Sequence, residues 1–120
     1  MTRVLLVEDE DLLRNSLDHL LRRAGLQVHA VRTAPEALVL PPDFVPDVLV
    51  TDWLLPGDCD GIQLAHRLRE LLPDLRVIVI TGLLARDARG DIERDGVVSV
   101  CMEKPFLFAQ LLEVIERTAA

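Results

Sequence analysis

Tyrosine is absent from this 120-residue chain, aromatic residues make up only 3% of it, and there are two cysteines, Cys59 and Cys101. Two cysteines without metal-ligand spacing exclude both a disulfide-stapled scaffold and a zinc module. No apolar run approaches the ~18 residues of a membrane span, and Met1-Thr2-Arg3 passes straight into a strand-like run without a signal-peptide pattern. The expectation is a cytoplasmic protein with no membrane contact. Positive charge is also scarce: 13 basic residues face 20 acidic ones, for a net charge of -7. That is the wrong sign for binding nucleic acid by counterion release. Every basic residue is arginine except Lys104. What is plentiful is apolar mass, 50% of the residues, enough for the core of one domain of ordinary size, ~100 to 150 residues.

Five short runs rich in β-branched residues, Arg3 to Val7, Gln27 to Val31, Asp47 to Thr51, Arg76 to Ile80 and Val97 to Cys101, read as strands. The first, third and fourth are nearly continuous in Val, Ile and Leu, as strands buried on both faces are, so the sheet is parallel. Between them the apolar period is helical. Leu13, Leu17, Leu20, Leu21 and Ala24 line a first helix closed by Gly25. Thr33-Ala34-Pro35-Glu36 is a capping box opening a short second helix, which Pro41-Pro42 cannot let continue. Ile62, Ala65, Leu68 and Leu72 line a third helix stopped by Pro73, and Leu107, Leu111, Leu112 and Ile115 line a last one. The interval Leu83 to Asp95 is sparse in apolar residues, interrupted by Gly90, and carries mixed charge from Arg86 and Asp87 through Arg94, which predicts a weakly anchored fourth helix. Strand and helix alternate five times with no linker, so residues 1–120 are expected to form one α/β domain, a doubly wound five-stranded parallel sheet with helices on both faces.

In such sheets ligands sit outside the carboxyl ends of the strands. Those ends carry Glu8-Asp9, Asp52, Thr81 and, a few residues past the fifth run, Lys104. Each alone has an ordinary reading: Asp9 or Glu10 as the cap of the first helix, Asp52 and Thr81 as caps of a turn and of the fourth helix, Lys104 as a solvated amine. Together they differ. Three carboxylates in one crevice repel unless a cation shares the site, and an all-oxygen set with few carboxylates suits Mg²⁺. A hydroxyl and an ammonium beside it would hold phosphoryl oxygens, with a carboxylate as nucleophile. His19, His29 and His66 are far apart and read as structural or solvated, and Trp53 reads as packing.

Val4-Leu5-Leu6-Val7-Glu8-Asp9, Asp52-Trp53-Leu54-Leu55-Pro56-Gly57, Asp60-Gly61, Thr81-Gly82 and Lys104-Pro105-Phe106 resemble, in order and spacing, the receiver domain of two-component response regulators. The resemblance spans essentially the whole chain and implies the flavodoxin-like, chemotaxis-regulator-like fold with strand order 2-1-3-4-5. It further implies that Asp52 is the phosphoacceptor, that Glu8, Asp9, Asp52 and the backbone carbonyl of Leu54 surround Mg²⁺, and that Thr81 and Lys104 bind the phosphoryl group. The implied partners are a histidine kinase or histidine phosphotransfer protein and a downstream protein or effector domain, with a homodimer on phosphorylation as one arrangement. The Lys104-Pro105 bond is similar to one that is usually cis in this family.

Two departures stand out. The loop Pro56-Gly57-Asp58-Cys59-Asp60-Gly61 is one residue longer than the commonest family form, and Cys101 stands where the family usually has a switching Tyr or Phe. A small Mg²⁺-dependent phosphohydrolase with an aspartyl-phosphate intermediate would need an acid two positions after the nucleophile, where this chain has Leu54; no turnover of a separate substrate is expected. A degenerate receiver acting only as an interaction module would not need all five polar positions. Apolar Leu54 and Leu83 flank the site and neither can orient an attacking water, so loss of the phosphoryl group is expected to be slow. The sequence leaves open the kinase, the output, and whether the chain is a whole regulator or a domain of a larger one.

Overall fold

The computed structural model describes residues 1–82 and 88–119; Leu83, Arg86 and Asp87 of the expected fourth helix lie outside the described residues. The elements run β1 (Arg3–Val7), α1 (Asp11–Arg23), β2 (Gln27–Val31), α2 (Ala34–Ala37), β3 (Val48–Asp52), α3 (Gly61–Leu71), β4 (Arg76–Thr81), α4 (Arg89–Arg94), β5 (Val100–Glu103) and α5 (Phe108–Ala119). All strand pairs are parallel, in the order β2-β1-β3-β4-β5.

Alternation along the strands assigns the two helical layers. Leu5, Val7, Leu49, Val77 and Val79 pack with Leu64, Ala65 and Leu68 of α3 and Ile92 of α4. Their neighbours Val4, Leu6, Val48, Val50, Ile78 and Ile80 pack with Leu17 and Leu21 of α1 and Leu111 and Ile115 of α5. Both faces of the central strands are therefore dry, which is why their sequences run continuously apolar instead of alternating. At ~25 cal/mol per Å² of apolar surface removed from water, this burial is the main favourable term holding helices to sheet.

The local signals act as expected at most boundaries. Gly25 ends α1 with φ +93°, a conformation in which a Cβ would be strained. Thr33 Oγ1 accepts the Glu36 amide at 3.3 Å and α2 stops after one turn, ahead of Pro41. In α4 the charged residues pair along the helix, Arg89 with Glu93 at 2.7 Å and Arg94 with Asp91 at 2.8 Å, around the single buried anchor Ile92.

One strand departs from expectation. The apolar run Val97 to Cys101 predicts a strand from Val97, yet β5 begins at Val100. Asp95 Oδ1 accepts the Val97 amide at 3.0 Å, which folds Asp95–Val98 into a turn, and sheet contact starts only where the Ser99 amide reaches the Val77 carbonyl at 2.8 Å. Val97 is buried as a turn residue, not as part of the ladder. At the other end Leu107 is exposed before α5 begins, so Leu111 and Ile115 carry that helix's core face.

Candidate functional site

The strand order reverses between β1 and β3, which puts a crevice at their carboxyl ends. Val7 pairs with Thr51, so the next residues, Glu8 and Asp52, emerge side by side. Thr81 ends β4, one strand further on. Glu8, Asp52 and Thr81 are buried polar residues, 2%, 7% and 3% exposed. Buried polar groups need partners, and these have them. Lys104 Nζ lies 2.9 Å from Glu8 Oε1 and 3.1 Å from Asp52 Oδ1. Glu8 Oε2 accepts the Glu10 amide at 3.0 Å, and Thr81 Oγ1 donates to the Met102 carbonyl at 3.4 Å. The Lys104-Pro105 bond is cis, as expected, and the Lys104 amide donates to the Thr81 carbonyl at 2.8 Å.

These placements make the two carboxylates unequal. Burial, and then the hydrogen bond and negative charge of Glu8, push Asp52 up to about 8, against which Lys104 pulls only part of the way back. Burial also opposes ionisation of Glu8, but hydrogen bonds from Asp52, the Glu10 amide and Lys104 hold it below the usual carboxylate range. Lys104 is raised: burial disfavours its charge, but contact with Glu8 and Asp52 outweighs that. Without a further cation, this raised value favours the protonated form of Asp52 at neutral pH.

Asp9 completes the acidic set. It is exposed, and one carboxylate oxygen from each of Glu8, Asp9 and Asp52 lies within 4.8 Å of the others. A hard divalent ion fits this donor set, because three oxygen ligands and an unneutralised negative charge are what Mg²⁺ takes while keeping waters. Trp53, Leu54, Ile80, Thr81, Gly82 and Lys104 close around Asp52 in a crevice of about 150 Å³. Trp53 is half-buried against the α3-side core, so the packing reading holds while its ring also lines the crevice. Leu54, whose carbonyl is the expected fourth ligand, turns its side chain out to solvent, 66% exposed.

The α3 end of the site rests on two residues. Asp60 Oδ1 accepts the Gln63 amide at 2.8 Å while Gln63 Oε1 accepts the Asp60 amide at 2.9 Å, a reciprocal cap that fixes the start of α3. Gly61 then presses on the end of β3: its amide donates to the Trp53 carbonyl at 2.6 Å, and a Cβ there would overlap the Asp52 carbonyl oxygen. The Asp-Gly pair is thus a cap followed by a steric requirement. The longer loop before it turns through Gly57 at φ +96°.

A model of the response regulator receiver domain matches residues 4–116. This chain belongs to the response regulator receiver family. Among curated relatives it is 34% identical over 119 residues to the response regulator receiver protein CpdR of Brucella abortus, covering 98% of this chain and 96% of that one. It is also 34% identical over 116 residues to the transcriptional regulatory protein FixJ of Rhizobium meliloti, covering 97% of this chain but 56% of that one. The chain thus spans nearly all of one relative and about half of the other. Solved structures agree on the fold: the non-phosphorylated HemR receiver domain of Leptospira biflexa matches with TM-score 0.81 at 28% identity, covering 100% of this chain and 95% of that one. TrrA of Thermotoga maritima, in complex with Mg²⁺-BeF, matches with TM-score 0.82 at 26% identity over 98% of this chain and 99% of that one. Receiver domains bind Mg²⁺ at an acidic cluster and work with histidine kinases and downstream effectors in two-component signalling; Glu8, Asp9 and Asp52 form such a cluster here.

Two residues around the receiver site, Arg14 and Arg89, were not singled out from sequence. Gly61 was named there as part of the Asp60-Gly61 motif, but the contact requirement it carries is not one a spacing rule reveals. Arg14, buried along most of its side chain, reaches back to the Glu8 carbonyl at 3.1 Å and pairs with Asp11 at 2.8 Å; only the i to i+3 spacing of that pair was visible. Arg89 spans from α4 to β5, donating to the Cys101 carbonyl at 3.0 Å and to Glu103 at 3.3 Å. It makes a polar tie at Cys101, the position where the resemblance leads one to expect an aromatic. Of the histidines, His66 pairs with Asp95 at 2.9 Å, His29 packs 5.8 Å from Phe44, and His19 is exposed. No helix among the described residues is long and apolar enough to cross a membrane.

Proposed function

We propose that residues 1–120 form one receiver domain that takes a phosphoryl group from a histidine kinase or phosphotransfer protein onto Asp52. The observation that carries this is Asp52 itself: a buried carboxylate at the end of β3, 3.1 Å from an ammonium, with two further carboxylates beside it. An Asp52 oxygen attacks phosphorus as the donor's P–N bond breaks, and the leaving imidazole carries its electron pair and a proton away. Lys104 would hold a phosphoryl oxygen, and Thr81 Oγ1, whose bond to the Met102 carbonyl is long at 3.4 Å, would turn to another. Mg²⁺, held by Glu8, Asp9, Asp52 and the Leu54 carbonyl, would supply charge neutralisation between the incoming phosphoryl group and the carboxylates. Leu54 offers no acid or base at the rim, which fits a domain that keeps its phosphoryl group and turns over no separate substrate.

The donor's docking place follows from continuity with the site. A groove of about 580 Å³ lined by Leu13, Leu17, Leu20, Phe106 and Phe108 opens onto Lys104, so an apolar helix seated there delivers its phosphohistidine to Asp52. The downstream protein or effector domain, and a homodimer on phosphorylation, would use other faces. A cytoplasmic setting, where phosphodonors and Mg²⁺ meet, suits this chemistry. Intact-mass analysis after incubation with a small phosphodonor and Mg²⁺ tests the reading. One added phosphoryl group in the wild type and none in Asp52→Ala is expected; undiminished labelling of Asp52→Ala, or labelling without metal, would overturn it.

A further inference from the structure

The two acidic residues of β1's end sit on the short link between β1 and α1, and one side chain controls its shape. Val31's carbonyl takes the Glu8 amide at 3.0 Å, and Glu10's carbonyl takes the Arg14 amide at 2.9 Å as α1 begins. These bonds pin the two ends of the link. Glu10 occupies the helix N-cap without a side-chain cap, so capping does not organise the middle. Arg14 does. Its Nη1 donates to the Glu8 carbonyl at 3.1 Å while Nη2 meets Asp11 at 2.8 Å, and the side chain is only 13% exposed.

The carbonyl so held belongs to the peptide unit that joins Glu8 to Asp9. Fixing that unit fixes ψ of Glu8 and φ of Asp9, the two dihedrals that set where one carboxylate points relative to the other. Glu8 has further restraints, from Lys104 and the Glu10 amide. Asp9 is exposed, and among the described residues none bonds its carboxylate, so the backbone is what restrains its position. We propose that Arg14 is a positioning residue for the metal: by clamping the Glu8–Asp9 peptide it pre-organises Asp9 as a Mg²⁺ ligand.

Charge and positioning predict opposite signs here. As a cation beside an acidic site, Arg14 opposes Mg²⁺ through Coulomb repulsion, so its removal would tighten binding if charge were its only influence. As a clamp it lowers the cost of ordering Asp9, so its removal weakens binding. A purely structural role, the Asp11–Arg14 pair steadying α1's first turn, moves thermal stability and leaves Mg²⁺ affinity alone.

The inference rests on the Mg²⁺ site proposed above. Trp53 is the sole tryptophan and lines the crevice, so its fluorescence reports Mg²⁺ titrated into the full chain. Arg14→Met keeps the aliphatic stem and a good helix former. It should raise the Mg²⁺ Kd by about tenfold, the lower end of the effect of losing a ligand's supporting partner. Arg14→Lys, with one point charge for two acceptors, should restore only part. Arg32→Met removes a neighbouring cation, 3.5 Å from the same Asp11 but with no bond to the Glu8 carbonyl, and should bind Mg²⁺ at least as tightly as the wild type. In the absence of metal, amide exchange at Asp9 and Glu10 should speed up in Arg14→Met and not in Arg32→Met. If Arg14→Met does not fold, Arg14→Gln, which keeps one shorter donor for two acceptors, should give the same weakening. A wild-type chain with no Mg²⁺ response overturns the metal reading and this inference with it. A normal wild-type response beside unchanged or tighter binding by the folded Arg14 variants overturns this inference alone.

Discussion

Raising the pH should tighten Mg²⁺ binding, because the ion must displace the proton that the crevice holds on Asp52. With Asp52 at about 8, roughly one molecule in eleven is ionised there at pH 7 and about half at pH 8. Apparent affinity should therefore rise roughly fivefold over that interval, approach tenfold per pH unit below pH 7, and level off near pH 9. The same proton sets the sign of stability. Asp52's folded value lies above its ordinary one, so between about pH 4 and pH 8 the folded state holds a proton that the unfolded chain has lost; metal-free stability falls as pH rises through that window. Glu8 has the opposite sign: held low, it stabilises above the ordinary carboxylate range and withdraws that only in acid, outside the interval tested. Mg²⁺ should offset the alkaline loss by mass action. Trp53 fluorescence titrations between pH 6 and pH 9, with thermal melts at each pH with and without metal, measure both effects. Glu8→Gln should bind Mg²⁺ more weakly but with a flatter pH profile, since it removes a ligand and also the negative neighbour that raises Asp52. Mg²⁺ affinity that is constant across this range would refute the shared-proton account.

Lys104→Ala leaves Glu8 and Asp52 without their cation; a fully buried pair broken on one side costs ~3 to 5 kcal/mol, and the partial exposure of Lys104 brings the expectation to about 2, recovered in part by Mg²⁺ in a thermal melt. Gly61→Ala drives a Cβ into the Asp52 carbonyl and should cost ~3 kcal/mol or more by denaturant unfolding, while slowing phosphorylation of whatever protein folds. Arg89→Met removes the tie from α4 to the Cys101 carbonyl and Glu103; amide exchange across residues 88–94 should accelerate, with a global loss of only ~1 kcal/mol, and unchanged exchange there would show that Ile92 alone anchors the helix.

Continuously apolar Val4-Leu5-Leu6-Val7 and Val77-Ile78-Val79-Ile80 determined by themselves that the sheet is parallel and covered on both faces, since only strands dry on both sides read that way. Gly25, Thr33 and the Pro41-Pro42 pair likewise set helix boundaries through local backbone preferences. The same local logic failed at Val97, where burial came from a turn fixed by Asp95, because an apolar side chain records that it is buried but not whether its backbone lies in a ladder. Polar residues at the strand ends marked the crevice, but their energetics came from register. Val7 opposite Thr51 is what sets Glu8 against Asp52, where burial first and then Glu8 raise the latter. Lys104, distant in sequence from both, reaches them only because β5 lies at the sheet's edge beside β4. The roles of Arg14, Gly61 and Arg89 belong wholly to the tertiary structure. Each acts on a backbone carbonyl, of Glu8, of Asp52 and of Cys101, and a carbonyl has no letter in the sequence; which side chain meets it is decided only when the chain has folded.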